Sequence, residues 1–312
     1  MAALEAVATV RRNLGDVPLD TAALIAAARD CDVIIADRQT EGGGTVFRSL
    51  PKLVAFARCA VDIRNIEVAA ASQAGILVTQ ASAGFMASVA EWIIGVMIDL
   101  SRHISQANAA YHAGEAPPLQ MGRELRGATI GIIGYGRIGR CLSGLAAAFG
   151  MRVLVTDPYA RIEEQAVVRV PLQELLAEAD HVVCLAHASA ETENLMNASA
   201  FAAMKPGALF INASRGNLVD EGALLEALDT GRIGGCALDV GRAPDQMPSP
   251  LLARHPRVIA TPHIGGLTPP AIEHQALETV SQVAEILAGR VPPGAVNGAF
   301  ARRLGGFGSA GA

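Results

Sequence analysis

Thr129-Ile130-Gly131-Ile132-Ile133 runs directly into Gly134-Tyr135-Gly136-Arg137-Ile138-Gly139. A short uncharged run rich in β-branched residues reads as a buried strand. After the G-x-G-x-x-G turn, Leu142, Leu145, Ala146 and Phe149 recur at helical spacing up to Gly150. A second strand, Arg152–Thr156, then leads to Asp157. Strand, glycine turn, amphipathic helix, strand and terminal carboxylate, in that order, define a βαβ unit that binds a dinucleotide. Gly134 makes the tight turn, Gly136 lets the backbone approach a pyrophosphate, and Gly139 permits close helix–strand packing. The helix start at Arg137 and Ile138 offers amide donors and a positive dipole end to the phosphates. Asp157 suits the adenosine ribose hydroxyls and would repel a 2′-phosphate, so NAD is expected rather than NADP.

The alternation extends both ways from this unit. Downstream, strands are expected at His181–Leu185, Ala208–Asn212, Gly235–Leu238 and Arg257–Ala260, with helices at 138–149, 172–178, 198–203 and 221–229. Upstream, Asp32–Ala36, Lys52–Phe56 and Gly75–Thr79 read as strands, Thr21–Arg29 as a helix, and Ser88 to about Asn108 as one long helix. Thr268 with Pro269 starts a helix running to about Ala288. Met1–Val10 reads as helix where such a domain would open with a strand, which implies a sheet edge or a gap. The Gly/Ala-rich tail Arg302–Ala312 reads as disordered. The fold class is therefore α/β, with a Rossmann domain at 93–269.

Composition sets the outer limits. The 312 residues are 51% hydrophobic and 18% charged, which allows two domains with real cores. A net charge of −5 favours neither nucleic acid nor an anionic membrane. No apolar run reaches the ~18 residues of a membrane span, and Glu5 followed by Arg11-Arg12 reverses the layout of a secretory signal. Five scattered cysteines, without a Cys-x-x-Cys pair, read as reduced thiols of a cytoplasmic protein. No His/Cys/Asp cluster has metal-ligand spacing.

Three strand ends carry candidate chemistry, on the side where open α/β sheets bind ligands. Arg215 follows Ile211–Ser214; its planar fork suits a substrate carboxylate, or it pairs with Asp220 or Glu221 at the surface. Asp239 closes Gly235–Leu238. His263, after Pro262 and before Gly265-Gly266, is poorly placed for a core and can exchange a proton near neutral pH. His103, His112, His255 and His274 read as surface residues, His181 as a strand start, and Trp92 as packing.

Taken together, Ser88–Glu91, the glycine fingerprint, Ala179-Asp180, Glu191-Thr192, Asn212–Asp220, Leu238–Val240, Thr261–Gly266 and Val296-Asn297 resemble the D-2-hydroxyacid dehydrogenases, in that family's order. The resemblance implies two Rossmann-like/flavodoxin-like domains, with the NAD-binding domain (93–269) inserted into a substrate domain (1–92 and 270–312). It implies a homodimer and hydride transfer between NAD and C2 of a 2-hydroxy/2-keto acid. Arg215 would bind the carboxylate and polarise the keto oxygen, and His263 would be the general acid/base. Asp239 and Ala213 would lie near the nicotinamide, and Ala186 along the cofactor.

The chain also departs from the family pattern. The family's histidine-supporting Glu falls on Ala243, with Asp245 the nearest carboxylate. Asp62 stands at a Gly of the loop Ala60–Arg64, which in the family exposes backbone amides to the substrate carboxylate, and His187 replaces a Pro in the cofactor-facing loop. Two alternatives therefore stay open: a formate- or phosphite-type dehydrogenase of the same superfamily, and a non-enzymatic NAD(H)-sensing protein like the corepressors built on this fold.

Overall fold

The computed structural model describes residues 1–307 except Asp16; the side chains of Asp245 and Phe307 lie outside the description. The chain forms two compact units, Phe85–Thr268 and, from both ends, Met1–Gly84 with the chain from Pro269 onward.

In the end-derived unit the elements are α1 (Ala2–Glu5), α2 (Thr21–Ala27), β1 (Val33–Ala36), α3 (Gly44–Ser49), β2 (Ala55–Arg58), α4 (Val68–Ala74) and β3 (Leu77–Gln80). The central unit holds α5 (Met86–Arg102), α6 (Ile104–His112), β4 (Thr129–Ile133), α7 (Arg137–Ala148), β5 (Arg152–Thr156), β6 (Val167–Arg169) and α8 (Leu172–Glu178). It continues through β7 (His181–Cys184), α9 (Ala198–Ala203), β8 (Ala208–Asn212), α10 (Glu221–Asp229), β9 (Ile233–Leu238), α11 (Pro250–Ala253) and β10 (Val258–Ala260). The chain returns with α12 (Pro269–Leu287) and α13 (Arg302–Phe307).

The central sheet is wholly parallel, in the order β10-β9-β8-β7-β4-β5-β6. Its strands read as continuous apolar runs because both faces are covered. Side chains alternate between the two: Ile130, Ile132, Val153 and Val155 pack against α5 and α7, while Leu154, Val182, Phe210 and Cys236 pack toward α8, α9 and α10. Each fully buried aliphatic side chain contributes roughly 1.5–3 kcal/mol. Trp92 packs against the α5–α7 cluster.

The other sheet has three parallel strands, β1-β2-β3. Phe47, Phe56 and Ile76 fill one face, and Leu77, Ile286 and Leu304 fill the other. Asn297 ties the returning chain to β3. Its amide oxygen accepts from Val78 N at 2.7 Å, and its nitrogen donates to Ile76 O at 3.0 Å. A cavity of about 270 Å³ lies beside the edge strand β1, lined among others by Asn13, Leu19, Ile34, Asp37 and Thr40.

Several sequence expectations need correction. The long helix from Ser88 is two helices, because His103 takes a left-handed turn (φ 56°) and Ser105 N bonds the Asp99 carboxylate at 2.8 Å. Only Ala2–Glu5 of the N-terminal stretch is helical, and it buries no residue. The second strand begins at Ala55 rather than Lys52 and runs on through Arg58, a charged residue that is buried. Its Nη2 donates to Thr40 O at 2.8 Å and to Asn65 Oδ1 at 2.7 Å. Strand β6 escaped notice, being three residues long with little buried surface. Arg302–Phe307 is helix, anchored by buried Leu304 and by Arg303 Nη1 on Leu50 O and Leu53 O; the rest of the expected disordered tail lies outside the described residues. His255, expected at the surface, has a side chain only 12% exposed, beside Asp229.

Candidate functional site

Every candidate residue falls in the central unit, at the carboxyl ends of its parallel strands. Read along the sheet, His263 follows β10, Asp239 follows β9, and Ala213 and Arg215 follow β8. Ala186 lies beyond β7, the glycine turn follows β4, and Asp157 follows β5. Chain order reverses at β4, which has β5 on one side and β7 on the other, and such a switch point opens a crevice for a dinucleotide. From β5 to β8 is three strand spacings, about 14 Å at ~4.8 Å each.

The glycine turn shows which positions packing demands and which stays open. Gly134 has φ +97°, and a Cβ there would lie 2.6 Å from Leu185 O. A Cβ on Gly139 would lie 2.6 Å from Gly134 O. Gly136, at the N-terminus of the twelve-residue helix α7, has no atom of the described residues within 4 Å of its Cβ position beyond its own helix and chain neighbours. Two glycines thus close the turn, and the third leaves the amide end of α7 open to a phosphate. The residues fit an NAD-type dinucleotide.

Asp157 is held by backbone amides. Its Oδ2 accepts from Tyr135 N at 2.7 Å, and its Oδ1 accepts from Tyr159 N and Ala160 N at 2.8 Å each. Burial works to raise its pKa, but these three amides and the nearby Arg169 outweigh it, and the carboxyl sits below its ordinary value. It is a carboxylate at neutral pH.

Arg215 projects from a tightly constrained loop. Asn212, 1% exposed, closes that loop by donating to Arg215 O at 2.9 Å and accepting from Ser214 N at 3.1 Å. Ser214 Oγ reaches Ala186 O at 2.7 Å, linking the loops after β7 and β8. At Gly216 a Cβ would meet the Gly241 carbonyl at 2.1 Å, so the loops after β8 and β9 cross backbone against backbone. The two carboxylates considered as surface partners have other roles. Asp220 caps α10 through Gly222 N and Ala223 N, and Glu221 accepts from Arg242 N at 3.2 Å.

His263 has a left-handed backbone (φ 55°), which is uncommon outside glycine. Asp239 holds that conformation. Its oxygens accept from Thr261 Oγ1 at 2.6 Å and from Ile264 N and Gly265 N at 2.8 Å each. Only 4% exposed, Asp239 anchors the histidine loop from beneath. Ala243 opens a one-turn 3-10 helix, Pro244–Gln246; the Asp245 side chain lies outside the described residues. In the end-derived unit, Asp62 is bound by the Arg64 guanidinium at 2.6 Å.

Sequence reasoning missed the Gly216–Gly241 crossing, the Asp239–Thr261 tie and Arg169 beside Asp157. The first two had a visible signal: small or polar residues immediately after apolar strands. Among the described residues, no group of three or more His, Cys, Asp or Glu is placed to hold a metal ion, and no helix is long and apolar enough to cross a membrane.

The fold and glycine turn define a dinucleotide-binding α/β protein. Residues 94–265 match the family described as D-isomer specific 2-hydroxyacid dehydrogenase, NAD binding domain. The chain is 34% identical over 282 residues to D-3-phosphoglycerate dehydrogenase of Mycobacterium leprae, covering 89% of this chain and 53% of that protein. It thus spans about half the length of the curated relatives it matches. The solved D-lactate dehydrogenase of Escherichia coli superposes with a TM-score of 0.81 at 28% identity, over 90% of each chain. The pyruvate reductase of Chlamydomonas reinhardtii gives 0.80 at 26% identity, over 88% of each. The chain belongs to the NAD-dependent D-2-hydroxyacid dehydrogenase family, and its cofactor is NAD.

Proposed function

We propose that this protein transfers a hydride between NAD and C2 of a small 2-hydroxy/2-keto acid. One observation carries the reading: Arg215 and His263 stand at the carboxyl ends of the same sheet that bears the open glycine turn, on the side of the switch point away from Asp157. The nicotinamide, when bound, supplies the hydride acceptor or donor. The Arg215 guanidinium pairs with the acid's carboxylate and polarises the C2 oxygen. His263 takes the hydroxyl proton during oxidation and returns it during reduction. Asp239 acts through the loop it anchors, and Ala186 and Ala213 flank the cofactor without crowding it. A panel of 2-keto acids with NADH, followed at the nicotinamide absorbance band, tests the reading. Oxidation of NADH by at least one acid is expected. Turnover of formate or phosphite with NAD instead, or of nothing while NADH binds, would favour one of the two alternatives.

Two variants test the assigned roles. Asp157→Ala should weaken NADH binding and narrow its advantage over NADPH; equal binding of both by the wild type would sink the ribose role. Arg215→Lys keeps the charge but loses the planar fork, so kcat/KM for the acid should fall roughly tenfold or more. Unchanged kcat/KM would return Arg215 to a surface role.

We also propose a homodimer in a reducing compartment such as the cytoplasm. Tyr111, Leu119 and Met121 are 69%, 105% and 95% exposed on α6 and the segment after it, an apolar display that a second copy would cover. The five cysteines are free, and burial pushes the Cys184 thiol up to about 12. Light scattering should give twice the chain mass, and Leu119→Asp with Met121→Asp should halve it. A wild-type monomer would contradict the assignment.

A further inference from the structure

We infer that Arg169, on the edge strand β6, is a positioning residue for the cofactor's adenosine end, acting through Asp157. The inference rests on the ribose role proposed for Asp157. The segment after β5 is fastened at both ends by guanidinium groups from flanking elements. At its start, Arg169 Nη2 donates to the Asp157 carbonyl oxygen, and Arg169 Nη1 reaches Ala160 O at 3.4 Å. At its far end, Arg140 of α7 pairs with Glu164 at 3.0 Å, donates to Arg161 O at 2.6 Å and lies 4.7 Å over the Tyr135 ring.

This bracing matters because of how the Asp157 carboxylate is already used. Oδ1 accepts two backbone amides, Tyr159 N and Ala160 N, which fills both of its lone-pair directions. Among the described residues, Oδ2 accepts only Tyr135 N, so one direction remains for a hydroxyl. Where that direction points is set by the turn Asp157–Ala160: the Tyr159 and Ala160 amides grip Oδ1 from one side, while Arg169 grips the carbonyls of Asp157 and Ala160. Without the guanidinium those two carbonyls lose their shared donor, and the turn is free to rotate with the carboxylate on it. The fork matters as well as the charge: an ammonium can serve one carbonyl at a time.

The test is a double-mutant cycle on NADH and NADPH binding, read by nicotinamide fluorescence on the full chain. Arg169→Ala should raise the NADH Kd about tenfold, the size of one charge-assisted hydrogen bond. The NADH/NADPH affinity ratio should fall, and kcat at saturating NADH should stay unchanged. Arg169→Lys should recover part of the loss. In an Asp157→Ala background, Arg169→Ala should have no further effect on NADH. If the two losses multiply, Arg169 touches the nucleotide itself or merely stabilises the fold, and the inference is overturned. If Asp157→Ala weakens NADH but Arg169→Ala does not, the inference fails alone. If Asp157→Ala leaves NADH unaffected, the ribose role fails and takes the inference with it.

Discussion

His263→Asn is expected to lower kcat by about 10²–10⁴-fold, the usual contribution of a positioned general acid/base, while the NADH Kd stays unchanged. Hydride transfer to or from C2 needs a proton to leave or join the C2 oxygen in the same turnover. Asparagine keeps a polar side chain of similar reach but cannot exchange a proton near neutral pH. The loss should therefore appear in kcat rather than in cofactor affinity, and the histidine limb of the pH–rate profile should disappear with it. The loop gives a second handle on the same residue. Asp239 holds the left-handed turn at His263 through Thr261 Oγ1, Ile264 N and Gly265 N. A variant of His263 with wild-type kcat would remove it from the chemistry. The measurements are steady-state kcat across pH and the NADH dissociation constant for both proteins.

The second large effect concerns stability and lies at the opposite end of the same sheet. His181 opens β7, is 1% exposed, bonds Ser101 Oγ through Nε2 at 3.0 Å, and has a buried Nδ1 with no hydrogen-bond partner among the described residues. Burial pushes its pKa down from 6.5 to about 4, against the opposing attraction of Asp180 and with help from Arg123. Above pH 6.5 neither folded nor unfolded chain carries the proton. As pH falls from 6.5 toward about 4, the unfolded chain binds a proton that the folded one refuses, and stability is lost. Between pH 7 and pH 4.5 this amounts to about 2.5 kcal/mol. His181→Gln removes the titration, so denaturant midpoints for the central unit should fall less with acid in the variant than in the wild type. Parallel pH dependences for the two proteins would contradict the assignment. Carboxylates remote from His181, such as Asp157, titrate in both proteins and cancel in the comparison, whereas Asp180 is coupled to His181 and contributes to the difference.

The parts legible in the sequence were those with local causes. Thr129–Ile133, Arg152–Thr156 and Ala208–Asn212 read correctly to the residue because parallel strands buried on both faces leave unbroken apolar runs. Gly134 and Gly139 were legible because their small size answers a backbone collision within the same βαβ unit. Elements decided by partners distant in sequence were not. Arg58 continues β2 only because Thr40 and Asn65 receive its guanidinium, and Arg302–Phe307 is helix because Leu304 finds a buried place against β2 and β3. The break at His103 depends on one Asp99–Ser105 contact across a turn that hydrophobic periodicity does not register. At the site, the residue types at the strand ends were legible, but not what held them. Asp239 reads as a strand-end residue near the nicotinamide, but nothing in the sequence says that its carboxylate is taken up by the loop of His263. Arg169 drew no reading from the sequence, yet it grips the turn that carries Asp157.

The central claim is that a hydride passes between the nicotinamide and C2 of the acid, and isotope transfer tests it most directly. NADH carrying deuterium at the transferable position of nicotinamide C4 is incubated with the protein and a panel of 2-keto acids, and any hydroxy acid formed is examined by mass spectrometry and proton NMR. The account predicts one deuterium per product molecule, located at C2, in the wild type, and the same labelled product formed about 10²–10⁴-fold more slowly by His263→Asn. A product without deuterium at C2, or no keto acid consumed by protein that binds NADH, would contradict it.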